Sequence, residues 1–285
     1  MTDFAHPLIT THDVAKRLTD PSLVVVDVRH DLALPEHWGE DRYREGHLPR
    51  AQFVHVDRDL SAPKTGRNGR HPLPTPDATA ALFSRLGIDA TKHVVVYDQN
   101  SGMFASRVWW MLRWLGHEAV ALMDGGIEKW VREGRPVTTV VETPPAATFT
   151  PHEAASTVDA DEVAEALQGT QVLVDARAPE RFRGEVEPLD PIAGHIPGAL
   201  NRPWGSNVSA DGTFKSVAAL RSEFAALLHD TPLDQVVHYC GSGVSACHNL
   251  LAMEVAGLPG TRLYPGSWSE WCALHPELNG VSRAT

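Results

Sequence analysis

Cysteine is scarce in this chain: Cys240, Cys247 and Cys272 are the only three among 285 residues. So small and odd a number makes no disulfide framework, and the lack of any C-x-x-C pair excludes a zinc ribbon or a thioredoxin-type motif. Free thiols persist in a reducing cytoplasm, which is the compartment this composition predicts. Long apolar runs are missing too. Nothing approaches the ~20 apolar residues that span a bilayer, and Met1-Thr2-Asp3-Phe4-Ala5 shows no basic stretch leading into an apolar one. Positive charge is in deficit, with 25 Lys and Arg against 36 Asp and Glu and a net charge of −11. That balance argues against nucleic acid or an anionic membrane as a partner. An anionic substrate therefore needs a local basic pocket within an acidic surface. No metal-ligand spacing or cofactor motif stands out, so neither a metal nor a cofactor is expected.

What is present is an ordinary globular composition, 42% apolar and 21% charged, enough for one large domain or two of average size. The chain repeats itself. Leu23-Val24-Val25-Val26-Asp27-Val28-Arg29 returns as Val172-Leu173-Val174-Asp175-Ala176-Arg177, and Gly46-His47-Leu48-Pro49 as Gly194-His195-Ile196-Pro197. Val95-Val96-Tyr97-Asp98 returns as Val237-His238-Tyr239-Cys240, and Gly126-Ile127-Glu128-Lys129-Trp130 as Ser267-Trp268-Ser269-Glu270-Trp271. Four matches in one order mean two copies of one domain. We expect these over residues 1–137 and 157–285, joined by an extended linker over 138–156 that contains Pro144-Pro145.

Short β-branched runs alternate with helical periodicity in each copy. Val24–Asp27, Val94–Tyr97, Ala119–Met123, Val172–Asp175 and Val236–Tyr239 read as buried strands. Phe104, Val108, Met111, Leu112 and Leu115 lie on one face of a helix that stops at Gly116, and Val244, Cys247, Leu251 and Val255 repeat the pattern before Gly257. This is an α/β chain: two tandem domains, each a mainly parallel sheet flanked by helices. Ligands bind such sheets where strand ends lead into loops and helix N-termini.

Cys240 stands at such a place, in the run Cys240-Gly241-Ser242-Gly243-Val244-Ser245-Ala246. Gly241 and Gly243 allow backbone angles that turn successive N–H groups inward. Those groups and the helix N-terminus stabilise an anion, which suits a nucleophilic thiol. The plainer alternative, a small apolar residue finishing a core strand, does not account for the Gly-x-Gly that follows. Phosphoester chemistry would need an Arg at 246, where the chain has Ala246, and a phosphate-binding P-loop would need a Lys the run lacks.

At this point the chain resembles the two-domain rhodanese-type sulfurtransferases, and among them the 3-mercaptopyruvate sulfurtransferases. Besides Cys-Gly-Ser-Gly-Val-Ser-Ala, the resemblance rests on Asp175-Ala176-Arg177, Arg181-Phe182-Arg183-Gly184, Gly194-His195-Ile196-Pro197-Gly198-Ala199 and Gly266-Ser267-Trp268-Ser269-Glu270-Trp271. Arg107-Val108-Trp109-Trp110-Met111 and Asp124-Gly125-Gly126 carry it through the first half.

The resemblance implies a covalent sulfur transfer through a Cys240 persulfide. The donor is 3-mercaptopyruvate or thiosulfate, and the acceptor is cyanide or a thiol such as thioredoxin or a small thiol. It casts Ser242 as a hydrogen-bond donor to substrate, the amides of Gly241, Ser242, Gly243, Val244 and Ser245 as the cradle, and Arg181 as the grip on the donor carboxylate through two parallel N–H bonds. His71 and Asp57 match first-half residues that handle protons beside the thiol. Asp98, at the place of Cys240, makes the first copy non-catalytic. His47 and His195 read as structural, and Cys247 as a core residue. Thiosulfate-using relatives carry basic residues directly after the cysteine; Gly241-Ser242 points instead to mercaptopyruvate. One departure is visible. Glu187-Pro188-Leu189-Asp190 lacks the second arginine the family often has there, leaving Arg183 and Arg202 as the nearby cations. A catalytically silent module of the same fold, binding only a partner, is the reading from a different functional class.

Overall fold

The structure, a computed structural model, describes residues 6–99, 101–167 and 169–276. The outer ends of the two expected domains, residues 1–5 and 277–285, lie outside the described residues. The chain forms two compact units. One comprises Met1–Ser61, Pro74–Ala155 and Val208–Phe214; the other comprises Ala62–Leu73, Ser156–Asn207 and Lys215–Thr285. Each unit thus takes one loop from the other half of the sequence.

The first unit holds a five-stranded parallel sheet of β1 (Leu8–Ile9), β2 (Leu23–Asp27), β3 (Ala51–Phe53), β4 (His93–Tyr97) and β5 (Val120–Met123), in the order β1-β5-β4-β2-β3. Its helices are α1 (Thr11–Arg17), α2 (Trp38–Glu45), α3 (Pro76–Arg85), α4 (Ala105–Trp114) and α5 (Gly126–Arg132). Val94, Val95, Val96 and Tyr97 are all buried, as a strand covered on both faces requires. Helix α4 ends where Gly116 takes a φ of +83°.

The second unit repeats the plan with β6 (Val172–Asp175), β7 (Leu200–Asn201), β8 (Val236–Tyr239) and β9 (Arg262–Leu263), all parallel in the order β7-β6-β8-β9. Helices α6 (Ala160–Ala166), α7 (Pro179–Phe182), α8 (Val217–Leu228), α9 (Ala246–Val255) and α10 (Ser267–Leu274) accompany it. The counterpart of β1 shrinks to one parallel bridge, Thr157 to Leu263.

The repeat extends to individual bonds. Arg29 donates to both Asp27 and the Gly46 carbonyl, and Arg177 does the same to Asp175 and Gly194. His47 Nδ1 lies 2.7 Å from Tyr43 O with the rings stacked at 3.9 Å, and His195 Nδ1 lies 2.7 Å from Phe182 O with its ring stacked on Phe182 at 3.9 Å. These arrangements fix the turns before β3 and β7. The segment with Pro144-Pro145 has neither helix nor strand and is strapped to the first unit: Phe149 donates to Ser84 Oγ, and His152 to the Leu115 carbonyl.

Candidate active site

Cys240 follows β8 directly and is buried. The start of α10 grips it from behind. The Cys240 N–H donates to Ser267 Oγ at 3.1 Å, while Trp268 and Ser269 donate to the carbonyls of Cys240 and Gly241 at 3.0 and 2.9 Å. Ser267 keeps a φ of +56° there, a conformation costing a non-glycine residue about 1 kcal/mol or more. Gly243 has a φ of +76°, and a Cβ on it would stand 2.3 Å from the Pro265 carbonyl oxygen. Gly241 needs no such angle. A Cβ on it would instead meet Arg70 Nη2 at 2.8 Å and Arg181 Nη1 at 3.4 Å. The expectation that both glycines serve backbone freedom is thus corrected: Gly241 serves open space.

Ser242, Val244 and Ser245 complete the turn into α9, with Ser242 and Val244 buried. Ser242 Oγ lies 2.7 Å from His71 Nδ1, and His71 is itself buried. His71 comes from the Ala62–Leu73 segment of the second unit, docked by the Arg70 N–H on Ser269 Oγ at 3.0 Å. Gly69, at φ +83°, permits the approach, since a Cβ there would lie 2.9 Å from the Gly266 oxygen.

Beside Gly241 runs a chain of charges. Arg177 pairs with Asp175 at 2.7 Å and Glu187 at 3.2 Å; Arg181 pairs with Glu187 at 2.6 Å and Asp190 at 3.3 Å; Asp190 also bonds Arg70. Burial pushes the Glu187 carboxyl up, but the hydrogen bond and charge of Arg181 outweigh it and hold it below the usual range. Burial likewise opposes the Arg177 charge, yet Asp175 outweighs it and raises that pKa. The basic pocket expected for an anionic substrate is therefore a network of three arginines and three carboxylates.

Arg70 and Asp190 were not singled out from the sequence; the adjacency of Arg70 to the candidate His71 was the available signal. Arg183 and Arg202, the nearby cations in the sequence, are committed elsewhere. Arg183 is exposed and paired with Glu185, while Arg202 lies over the Phe224 ring and bonds Asn207 and Glu223. Cys247 donates its thiol to the Gly243 carbonyl inside the core, and burial, followed by the Asp190 charge, pushes the Cys272 thiol up to about 12.

In the first unit, the residue at the matching place is a buried carboxylate. Asp98 Oδ1 accepts from the Gly102 N–H at 2.9 Å, and Oδ2 accepts from Phe104 and Ala105 at 2.7 and 2.9 Å. Gly102 (φ +94°) matches Gly243, and Ala105 opens α4 as Ala246 opens α9. Asp57 also belongs to this unit, 3.7 Å from His30 Nε2. His30, His55 and Asp57 bring three ligand atoms within 4.8 Å of one another. Both His55 ring nitrogens are already engaged, Nε2 with the Glu36 carbonyl at 2.9 Å and Nδ1 with the Asp57 N–H at 3.1 Å. A metal there would have to break those bonds.

Known proteins share this architecture. The rhodanese-like domain model matches twice, over residues 10–133 and 159–274. A probable 3-mercaptopyruvate sulfurtransferase from Pseudomonas aeruginosa is 46% identical, over 93% of this chain and 94% of its own. A putative thiosulfate sulfurtransferase from Mycobacterium tuberculosis is 41% identical, over 93% of each. The crystal structure of SseA, a 3-mercaptopyruvate sulfotransferase from Escherichia coli, superposes with a TM-score of 0.80 at 31% identity, covering 92% of this chain and 99% of that one. With its doubled parallel sheets and its cysteine loop between β8 and α9, the chain belongs to the rhodanese family.

Proposed function

We infer that this protein is a 3-mercaptopyruvate sulfurtransferase that carries sulfur as a persulfide on Cys240. The observation that carries the reading is the pair of matching loops. In the first copy, three amides bind the Asp98 carboxylate, whose charged oxygen lies three bonds from Cα. The outer sulfur of a cysteine persulfide also lies three bonds from Cα. A loop of this design suits a persulfide anion, with the amides of Gly243, Ser245 and Ala246 in the matching places.

In the first step the Cys240 thiolate attacks the donor sulfur. The S–S bond forms, the C–S bond breaks, and its electron pair passes to the carbon as pyruvate enolate. Protonation of that enolate gives pyruvate; the buried Ser242–His71 hydrogen bond supplies a proton path at the donor carbonyl. In the second step an acceptor thiolate takes the outer sulfur and Cys240 leaves as thiolate. Thioredoxin, a small thiol or cyanide fits this role. Arg181 holds the donor carboxylate. For Asp57 the proton-handling role rests on the family resemblance. The same reading places the enzyme in the cytoplasm.

Thiosulfate is the second donor to weigh, because two arginines flank Gly241 and can face a dianion. Rates with each donor and cyanide decide between them; we expect the larger kcat/KM with 3-mercaptopyruvate. Intact-mass spectrometry tests the carrier itself. Wild type should gain one sulfur after donor treatment and Cys240→Ser none. An equal gain by Cys240→Ser would end the reading of Cys240 as the carrier, and no gain by wild type would leave a binding module as the reading.

A further inference from the structure

We propose that Ser269 is a latch that seats the loop carrying His71, and so a positioning residue for the Ser242–His71 pair; the proposal rests on the reading of that pair as the proton path. The loop is closed on itself. Ala62 donates its N–H to the Pro72 carbonyl at 2.9 Å, Thr65 donates to Asn68 Oδ1 at 2.8 Å, and Asn68 Nδ2 donates to the Pro63 carbonyl at 3.0 Å. A loop braced by its own bonds is carried as one piece, so the contacts at its foot decide where His71 stands.

Ser269 makes the backbone bond at that foot. Its Oγ accepts the Arg70 N–H at 3.0 Å, and Gly69 comes close enough that a Cβ there would lie 3.2 Å from the same Oγ. The backbone N–H of Ser269 meanwhile donates to the Gly241 carbonyl at 2.9 Å. Gly241 precedes Ser242, and Arg70 precedes His71. One residue thus holds the backbone beside each member of the pair, whose side chains meet at 2.7 Å, His71 Nδ1 to Ser242 Oγ. Arg70 also bonds Asp190, but through a long side chain, which fixes the backbone beside His71 less closely. The first unit anchors its corresponding loop differently. Glu128, exposed on α5, occupies the place of Ser269, and Val208–Phe214 is held instead by the Phe214 N–H on Asp124 Oδ1 at 2.9 Å. The serine belongs to the copy that has the nucleophile.

Ser269→Ala removes the acceptor and keeps the backbone bond to Gly241. It should lower kcat with 3-mercaptopyruvate about fivefold, the worth of one neutral hydrogen bond, and leave KM within about twofold. In a His71→Ala background the same substitution should change kcat by less than about twofold, because a latch acts only through the residue it seats. Where His71→Ala is itself slow, equal falls in both backgrounds, or no fall in the wild-type background, overturn the proposal. Trypsin reads the latch without any sulfur chemistry. Lys64 and Arg67 are exposed at the loop's tip, and cleavage after them follows the population of the opened loop. Peptide mapping should show Ser269→Ala cut there about fivefold faster than wild type, and an unchanged rate overturns the latch. Faster cutting together with a fully active His71→Ala would uphold the latch and sink the proton-path reading instead. Ser269→Thr keeps the hydroxyl and should match wild type in both measurements; behaviour like Ser269→Ala would assign the effect to packing and overturn the latch.

Discussion

Gly241 and Gly243 stand two residues apart and are glycine for different reasons. At Gly243 the backbone is left-handed and a carbonyl oxygen blocks the side-chain direction; at Gly241 only the tips of two flexible arginines do. The substitutions should therefore fail differently. Gly243→Ala should lose about 2 kcal/mol or more of stability in urea titration, from strain at φ +76° and the Pro265 clash. Gly241→Ala should fold normally, yet raise KM for 3-mercaptopyruvate about tenfold, because its methyl would stand 3.4 Å from Nη1 of Arg181, the residue read as the grip on the donor carboxylate. A normal KM in Gly241→Ala would show that the donor sits elsewhere. The sequence names both glycines but cannot separate them, since the distinction depends on Pro265, Arg70 and Arg181, all distant along the chain. Arg181 itself was legible from Arg181-Phe182-Arg183-Gly184. Its division of labour with Glu187, Asp190 and Arg70 was not, because ion pairing leaves no periodic trace in sequence.

At the scale of elements, the strands and the two long helices were legible because a buried parallel strand must be continuously apolar and a packed helix must repeat its apolar face. Both copies obey, and β4, β8, α4 and α9 begin within two residues of the sequence-based limits. The Ala62–Leu73 segment escaped that reading. It has no regular structure, and its anchor, Ser269, lies 199 residues away. The Asp98 loop shows what an element gains from one side chain. Asp98→Ala would leave the amides of Gly102, Phe104 and Ala105 buried without that acceptor, and should cost about 3 kcal/mol or more in chemical denaturation. Asp98→Asn, which retains an acceptor oxygen, should cost clearly less. Equal losses would mean that the carboxylate fills space there and that its amide bonds matter little. That outcome would also weaken the comparison with a persulfide at Cys240.

Across the whole molecule, acid stability should depend on a group the chemistry does not use. His238 lies in the centre of β8, two residues before Cys240, where burial pushes its pKa down from 6.5 to about 3. Its Nε2 faces the Met253 sulfur at 3.3 Å and its Nδ1 is buried with no hydrogen-bond partner among the described residues. Between pH 6.5 and 3 the unfolded chain binds a proton that the native state refuses. Stability is therefore complete above pH 6.5 and falls as the pH drops through that window, by about 2 kcal/mol at pH 5. His117, also held down by burial, acts in the same sense; Asp124 and Glu270, pushed up by burial, act in the opposite one. The repeat supplies the control. Val96 occupies the matching place in β4, so His238→Val puts a proven strand residue in the same setting. Urea titrations at pH 7 and pH 5 should show the variant losing about 2 kcal/mol less than wild type between the two, whatever its stability at pH 7. An equal loss in both proteins would show that His238 does not carry the acid sensitivity. Because a neutral imidazole within β8 adds no charge behind Cys240, sulfur loading in His238→Val should keep the wild-type pH profile.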